Sequence, residues 1–593
     1  MVGMVGCALL AARPVVAGLA QSSGATVQDA SYSPMARLIV TYRDASSLVR
    51  AHPWRRGDPP TAAQEAYRRR AEALSARHGL SMSSVRALGP HSHVLRASGV
   101  SAAVLAQRLR TDPDIGSVVV DQRRRALVVP NDPLFLAGPP IDRARQTGGP
   151  EAGQWYLRAP TALFRSATDV VGAWVQGRGD PSVVVAVLDT GVLSDHEDLD
   201  PQRTGRVLPG FDMVESPQTA NDGDGRDADA SDPGDWVTVE DDTDPGSPYF
   251  GCGATDSAWH GTQVAGLIAA ATDNGVGMAA VAPGARLLPV RVLGTCGGWD
   301  SDIIAGMYWA AGIEQPGVPT NPHPARILNL SLGGGGPCTA PYAAALSALA
   351  GRRIVVVAAA GNSTGRAVGA PANCPGVIAV TGVRHAGTKV GYADLGPEIA
   401  IAAPAGNCVN VRVGEPCLYP LLSTSNSGRR VPIDGGSTYT DGFNFTVGTS
   451  FATPLVAGTV ALMLSARPDL DPAAVRLILQ ASARPFPTEG ADNGDDPAPV
   501  PVCQPPSSQD QLQCYCTTFL CGAGILDAAA ALRNVMALAP PEVAPGAGTG
   551  GGSMSAAWLA ALALAAGILA RSDRRGRRDR TVVGDGSTRD RGP

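Results

Sequence analysis

The 593-residue chain is 44% hydrophobic and 17% charged, with a formal net charge of −5 at pH 7. Such a chain is longer than one small domain and apolar enough to bury a sizeable core. Its acidic balance excludes nucleic-acid binding through bulk positive charge, and the use of arginine almost to the exclusion of lysine, with Lys389 the sole lysine, reads as coding bias.

In chain order, residues 1–20 are apolar and end in small residues, with Gly18 and Ala20 suiting a signal-peptidase site before Gln21. The stretch lacks a basic start and Arg13 interrupts it, so a plain tail is the competing reading. Residues 31–127 read as a separate unit. ARLIVTYRD is a strand, TAAQEAYRRRAEALSARHG an amphipathic helix ended by Gly79, and SSVRALGPHSHVLRAS a hairpin pair. SAAVLAQRLRTDPD is a helix capped by Ser101, and IGSVVVDQRRRALVV closes with a strand. The order βαββαβ predicts a ferredoxin-like α+β layout. The arginine-rich VDQRRRALVVPNDP reads as an exposed connector where a chain can be cut.

From 150 to 534 continuous runs of valine, isoleucine and leucine alternate with helical segments, as in SVVVAVLD, HGTQVAGLIAAAT, ARLLPVRVL, RILNLSLG, IVVVAAAGN and TSFATPLVAGTVALMLSAR. Strands without polar alternation are buried on both faces, which predicts a parallel α/β sheet flanked by helices. Active residues in such sheets sit just past the carboxyl ends of strands. Ten of the eleven cysteines fall between Cys252 and Cys521, without zinc-ligand spacing. An even set of this kind predicts disulfides and an oxidising compartment. Sequence does not fix the connectivity; neighbour pairing of 252 with 296, 338 with 374 and 408 with 417 is the working hypothesis.

Four residues stand where the sheet would place chemistry. Asp189 ends SVVVAVLD, His260 opens a helix, Asn362 follows VVVAAAG, and Ser450 starts an apolar helix. Each alone is most simply a cap or a structural donor. Together they supply a hydroxyl nucleophile, a base to take its proton, a carboxylate to orient the base and an amide N–H for an oxyanion. The motifs VLDTGV, WHGTQVAG, AAAGN and GTSFATPLVAG closely resemble those of the subtilisin-like serine proteases, in the same Asp, His, Ser order. Gln263 and Phe451 depart from the histidine and methionine more usual there. QWYL at 154–157 and CGAGILDA at 521–528 resemble the disulfide-bearing bacterial secreted branch.

The resemblance implies a serine endopeptidase with Asp189 as orienter, His260 as general base and acid, Ser450 as nucleophile, and Asn362 with the Ser450 N–H as oxyanion hole. It makes the 31–127 unit a propeptide that assists folding and inhibits. It lets extended substrate pair with the 330–334 segment, Ser331, Leu332 and Gly333 lining one wall of the P1 pocket, Ala360 and Gly361 the other, and Gly369 the floor. A glycine floor predicts broad specificity favouring bulky apolar P1 residues. The resemblance also implies a structural calcium ion held by Asp198, Asn274, Val276 and Met278, with Gln154 contributing. A second calcium candidate is the acidic loop of Asp222, Asp224, Asp227 and Asp229, with a solvated loop as the alternative.

After 534 comes a Pro/Gly linker (540–553), an apolar segment (554–570) and an arginine-rich tail (571–593). The apolar segment is short for a membrane-spanning helix, and the arginines after it predict that everything upstream lies outside. This tail resembles the GlyGly-type C-terminal sorting signals of secreted Gram-negative proteins, in which a rhomboid-like protease removes a transient anchor; a permanent anchor is the alternative. The expected partners are protein or peptide substrates, the chain's own propeptide and the secretion machinery, with no nucleic acid, for a protein that is a monomer. Competing readings are an α/β-hydrolase, which the absence of G-x-S-x-G at Ser450 and the Asp-His-Ser order oppose, an inactive binding module, and a membrane-held processing protease.

Overall fold

The computed structural model describes residues 35–538 except 56, 122–128, 409–413 and 492–497. The segments read as a signal (1–20), linker (540–553), apolar helix (554–570) and tail (571–593) lie outside the described residues. The chain divides into two compact units after Ala126.

The first unit has the elements β1 (Met35–Tyr42), α1 (Ser47–Ala51), α2 (Pro60–His78), β2 (Met82–Gly89), β3 (Ser92–Ser98), α3 (Ala102–Arg110) and β4 (Ile115–Val120). Its sheet order is β2-β3-β1-β4, antiparallel throughout. This is the expected βαββαβ layout plus the short α1. Gly79 ends α2 in the left-handed conformation, and the Ser101 hydroxyl accepts the Val104 N–H at 3.3 Å to start α3. Alternate β1 residues Ala36, Leu38, Val40 and Tyr42 join Tyr67, Leu74, Leu105 and Leu109 in its core.

The second unit holds a seven-stranded parallel sheet. Its strands are β5 (Val184–Asp189), β6 (Phe211–Asp212), β7 (Arg286–Arg291), β8 (Ile327–Leu330), β9 (Val355–Ala359), β10 (Ile378–Val383) and β11 (Ile399–Pro404). They run in the order β11-β10-β9-β8-β5-β7-β6. Helices α4 (His260–Ala269), α5 (Asp300–Ala310), α6 (Ala340–Gly351) and α7 (Thr449–Ala466) pack on it. Strand β5 shows why its sequence does not alternate in polarity. Val185 and Val187 enter one core with α4 and α7, while Val184, Ala186 and Leu188 enter the opposite core with α5 and α6. From β5 the chain first builds β6 and β7 on one side, then β8 to β11 on the other. The crevice at the carboxyl end of β5 is therefore the switch point where such sheets bind ligands.

Helix α7 is apolar all round and almost wholly buried. Among the described residues it is the one helix long and apolar enough to cross a membrane, but it is mid-chain and 89% of that window is buried, so it is a core helix. Five disulfides cross-link this unit: Cys252–Cys296, Cys338–Cys374, Cys408–Cys417, Cys503–Cys514 and Cys516–Cys521. The first three are the neighbour pairs hypothesised from sequence.

Candidate active site

Asp189 is the last residue of β5 and is fully buried. Its Oδ1 accepts the Thr190 N–H at 2.9 Å and pairs with His260 Nδ1 at 2.7 Å. A carboxylate only accepts, so Nδ1 carries the proton and Nε2 is left with its lone pair free. Asp189 Oδ2 is buried with no partner among the described residues. Desolvated charge of this kind is costly unless a cation faces it, and the imidazole is the group that can become one.

The helix start fixes the ring. Trp259, just before α4, sits in the left-handed region with φ 51°, held by its indole N–H donating to the Gly428 carbonyl at 2.8 Å. A side chain at Gly261 would strike the Gly191 carbonyl, so only glycine lets α4 approach β5 this closely. The Gly261 N–H donates to Thr190 Oγ1 at 3.0 Å, and that hydroxyl donates to Asp232 at 2.6 Å. Burial pushes the His260 pKa down. The charge and hydrogen bond of Asp189, with the further charges of Asp235 and Asp232, overcome this and hold it above the ordinary 6.5.

Ser450 lies in the first turn of α7, and its N–H has no protein acceptor among the described residues. Pro454 explains its carbonyl. Proline has no N–H, so the bond expected from residue 454 to the Ser450 carbonyl cannot form. The Ser331 hydroxyl, just after β8, donates to that carbonyl at 2.6 Å instead, and accepts from Asn329 Nδ2 at 2.9 Å. The nucleophile's turn is thus tied to the wall of the pocket beside it. Asn362 Oδ1 accepts both the Thr449 N–H and the Thr449 hydroxyl at 3.0 Å. That fixes the amide orientation and leaves Nδ2 as a donor.

His260, Asn362 and Ser450 line one cleft of about 750 Å³, with Ser331, Leu332, Gly333 and Gly361 on its walls. Two of the expected pocket residues stand elsewhere. Ala359 and Ala360 are both buried, and it is Ala359 that borders the cleft. Gly369 is not a floor open to the cleft: a side chain there would strike the Gly334 carbonyl, while its neighbour Ala370 lines the cleft and accepts the Gly334 N–H at 2.9 Å.

For the calcium site, the chemistry of the donors decides. Asp198 is fully buried; its oxygens accept from Asn274 Nδ2, the Met278 N–H and Tyr439. Burial pushes its pKa up to about 6. The carbonyl oxygens of Val276 and Met278 accept no hydrogen bond among the described residues. Gln154 is engaged with Ala279 and Tyr156, its Oε1 accepting the Ala279 N–H, and Asn274 is engaged likewise, its Oδ1 accepting the Val276 N–H at 2.9 Å. Asp132, which sequence reasoning missed, lies beside Asp198. It is buried, accepts the Asp273 and Asn274 N–H groups at 3.0 and 3.3 Å, and its charge acts on Asp198. The only signal in the sequence was an Asn131-Asp132-Pro133 triplet in a stretch read as connector. Two buried carboxylates beside an amide and free carbonyls form an oxygen set of the kind calcium takes.

The second calcium candidate does not fit. Asp222 pairs with the buried Arg291 at 2.5 Å, as does Asp212. Asp222, Asp227 and Asp229 each accept the backbone N–H two residues on, the first of these being that of Asp224. No three carboxylates of this loop bring oxygens within 4.8 Å of one another.

A buried carboxylate bonded to a histidine that shares a cleft with a helix-start serine, at the switch point of a parallel sheet, is the arrangement of a serine-nucleophile hydrolase. The Subtilase family profile matches residues 180–500. An extracellular protease of Xanthomonas campestris pv. campestris is 37% identical over 495 residues, which cover 82% of this chain and 74% of that protein. An extracellular basic protease of Dichelobacter nodosus is 35% identical over 400 residues, 65% of this chain and 58% of its own length. A solved protease structure from Pseudoalteromonas arctica aligns with TM-score 0.53 and 36% identity, over 68% of this chain and 99% of that one. The chain belongs to the subtilase family and is a serine-type endopeptidase.

Proposed function

We propose that the protein hydrolyses peptide bonds of proteins outside the cell through an acyl-enzyme on Ser450. Ser450 Oγ attacks the scissile carbonyl while His260 Nε2 takes its proton. Asp189 keeps Nδ1 protonated and faces the imidazolium that forms. The oxyanion receives the Asn362 Nδ2 and Ser450 N–H groups beside the positive end of α7. His260 then protonates the leaving amine, and a water activated by the same base releases the acid. The observation that carries this reading is the 2.7 Å contact of His260 with Asp189 in the cleft shared with Ser450. The full chain hydrolyses casein and Ser450→Ala does not; retained hydrolysis in the variant would refute the reading.

The address rests on five disulfides, which persist in oxidising compartments, and on relatives whose names call them extracellular proteases. The P1 pocket is proposed to accept bulky apolar residues, because its walls are Leu332, glycines and alanines together with Ser331, whose hydroxyl is spent on the Ser450 carbonyl. Residues 31–127 are proposed as the inhibitory propeptide of a zymogen and 554–570 as a C-terminal anchor. A calcium ion held by Asp132, Asp198, Asn274 and the carbonyls of Val276 and Met278 would neutralise buried charge and pin the loop; it has no part in the chemistry. For a dedicated membrane-held processing protease the chemistry is identical and only the address differs.

A further inference from the structure

We propose that Asp235 makes this protease favour arginine or lysine at P2, the substrate residue just before the one whose carbonyl is attacked. The proposal rests on the reading that Ser450 is the nucleophile and that substrate lies extended along Ser331–Gly333. Side chains of an extended strand point alternately to opposite sides. A P1 side chain that enters between the Ser331–Gly333 wall and the Ala359–Gly361 wall therefore sends the P2 side chain the other way, to the wall of His260.

On that wall Asp235 lines the cleft with His260, Val237, Leu293 and Gly294. Its carboxylate is held in place. The Asp235 N–H donates to Ser257 Oγ at 3.1 Å, and Oδ1 accepts the Ala258 N–H at 2.7 Å. Gly234 before it packs so tightly that a side chain there would strike the Arg430 carbonyl. No arginine or lysine among the described residues forms an ion pair with Asp235. The contrast with its neighbour is informative. Asp232 is buried and its two oxygens are occupied by the Thr190 hydroxyl and the Gly234 N–H, whereas Asp235 is partly exposed and keeps one oxygen uncommitted. A long basic side chain can lay its apolar stem on Leu293 and Val237 and bring its head to that oxygen. A charge-assisted hydrogen bond to a fixed carboxylate discriminates by charge, not by size, so a neutral isostere of arginine loses the gain.

The test compares kcat/KM for fluorogenic peptides identical except at P2, with arginine, its neutral isostere citrulline, or glutamate. The full chain favours arginine over citrulline by about tenfold or more, with glutamate worst, and the ratio shrinks as salt is raised. In Asp235→Asn the arginine-to-citrulline ratio falls toward one, and in Asp235→Glu a preference remains. Equal rates for arginine and citrulline in the unaltered enzyme would overturn the proposal, and that comparison needs no variant to fold. So would an Asp235→Asn enzyme that keeps the full ratio, or one that loses arginine and citrulline substrates equally, since that places Asp235 behind His260 instead of against substrate. Labelling of Ser450 by a fluorophosphonate separates the premises: a labelled enzyme with no P2 preference sinks this proposal alone, and no label with no cleavage sinks the nucleophile reading beneath it.

Discussion

Asn362 commits its side-chain oxygen to two donors on Thr449 and has only its amide N–H groups to offer the cleft. Asn362→Ala removes that donor and should lower kcat about 10²- to 10³-fold with a much smaller change in KM; steady-state kinetics with one peptide substrate checks both. His260 works as a base only when neutral, and the facing carboxylates hold its pKa above the ordinary 6.5. Activity should therefore rise with pH through an acid limb whose midpoint lies above 6.5, and Asp235→Asn, which removes one of the charges favouring the imidazolium, should move that midpoint to lower pH. A kcat/KM profile measured on both enzymes decides it. At this scale the sequence was most legible where a residue's place travels with its own motif: Asp189 meets His260, and His260, Asn362 and Ser450 share the cleft. It was least legible where a role depends on tertiary return: Asp132 meets the 273–274 loop only because the chain folds back across some 140 positions. Gln154 has ligand chemistry but faces Ala279.

Strands and helices were legible because a doubly covered sheet writes itself as unbroken apolar runs, and β5 feeds two cores from adjacent residues. The links between elements were not. Pro454 gives no hint that it frees the Ser450 carbonyl for Ser331, since that bond spans 119 positions. Lys389 is another such link. Read as a trace of coding bias, it is wholly buried, and its ammonium shares its three N–H groups among the carbonyls of Val390, Gly391, Gln511 and Leu512 at 2.7–3.0 Å. It ties the stretch after β10 to the Cys503–Cys514 loop. Burial pushes the pKa of nearby Asp394 up, and the N–H groups of Ser363 and Arg366 on its Oδ1, in the segment carrying Asn362, and the Lys389 charge offset this only in part. Lys389→Met is close in size but leaves four carbonyls without their shared donor. It should destabilise the fold by about 3 kcal/mol, read as a fall of several degrees in Tm.

For the molecule as a whole, the sequence shows a βαββαβ unit and a parallel α/β unit, and the structure has both layouts, divided after Ala126. The sequence suggested some of the ties that hold the second unit's loops, the Cys252–Cys296 pair among them, but not where they lie relative to the cleft. The 44-residue separation of Cys252 and Cys296 closes a loop at the rim of the cleft, a cross-link of a kind that contributes on the order of 4 kcal/mol through the unfolded chain. Asp132 joins the start of the unit to the 272–278 loop through the Asp273 and Asn274 N–H groups, and the calcium ion proposed between Asp132 and Asp198 would tighten that tie. Chelation with EDTA should lower Tm by several degrees, with calcium restoring it, and Asp132→Asn should abolish most of that calcium dependence while Asp222→Asn leaves it intact. An unchanged Tm on chelation would remove calcium from the account.

The central claim is that Ser450 becomes a nucleophile because Asp189 and His260 act on it. The most direct measurement is peptide-mapped mass spectrometry of the full chain after brief exposure to a fluorophosphonate, alongside His260→Ala. The account predicts one adduct, on Ser450, formed rapidly in the unaltered chain and slowed at least about a thousandfold in the variant. An adduct on another serine, or equal labelling of Ser450 without His260, would contradict it.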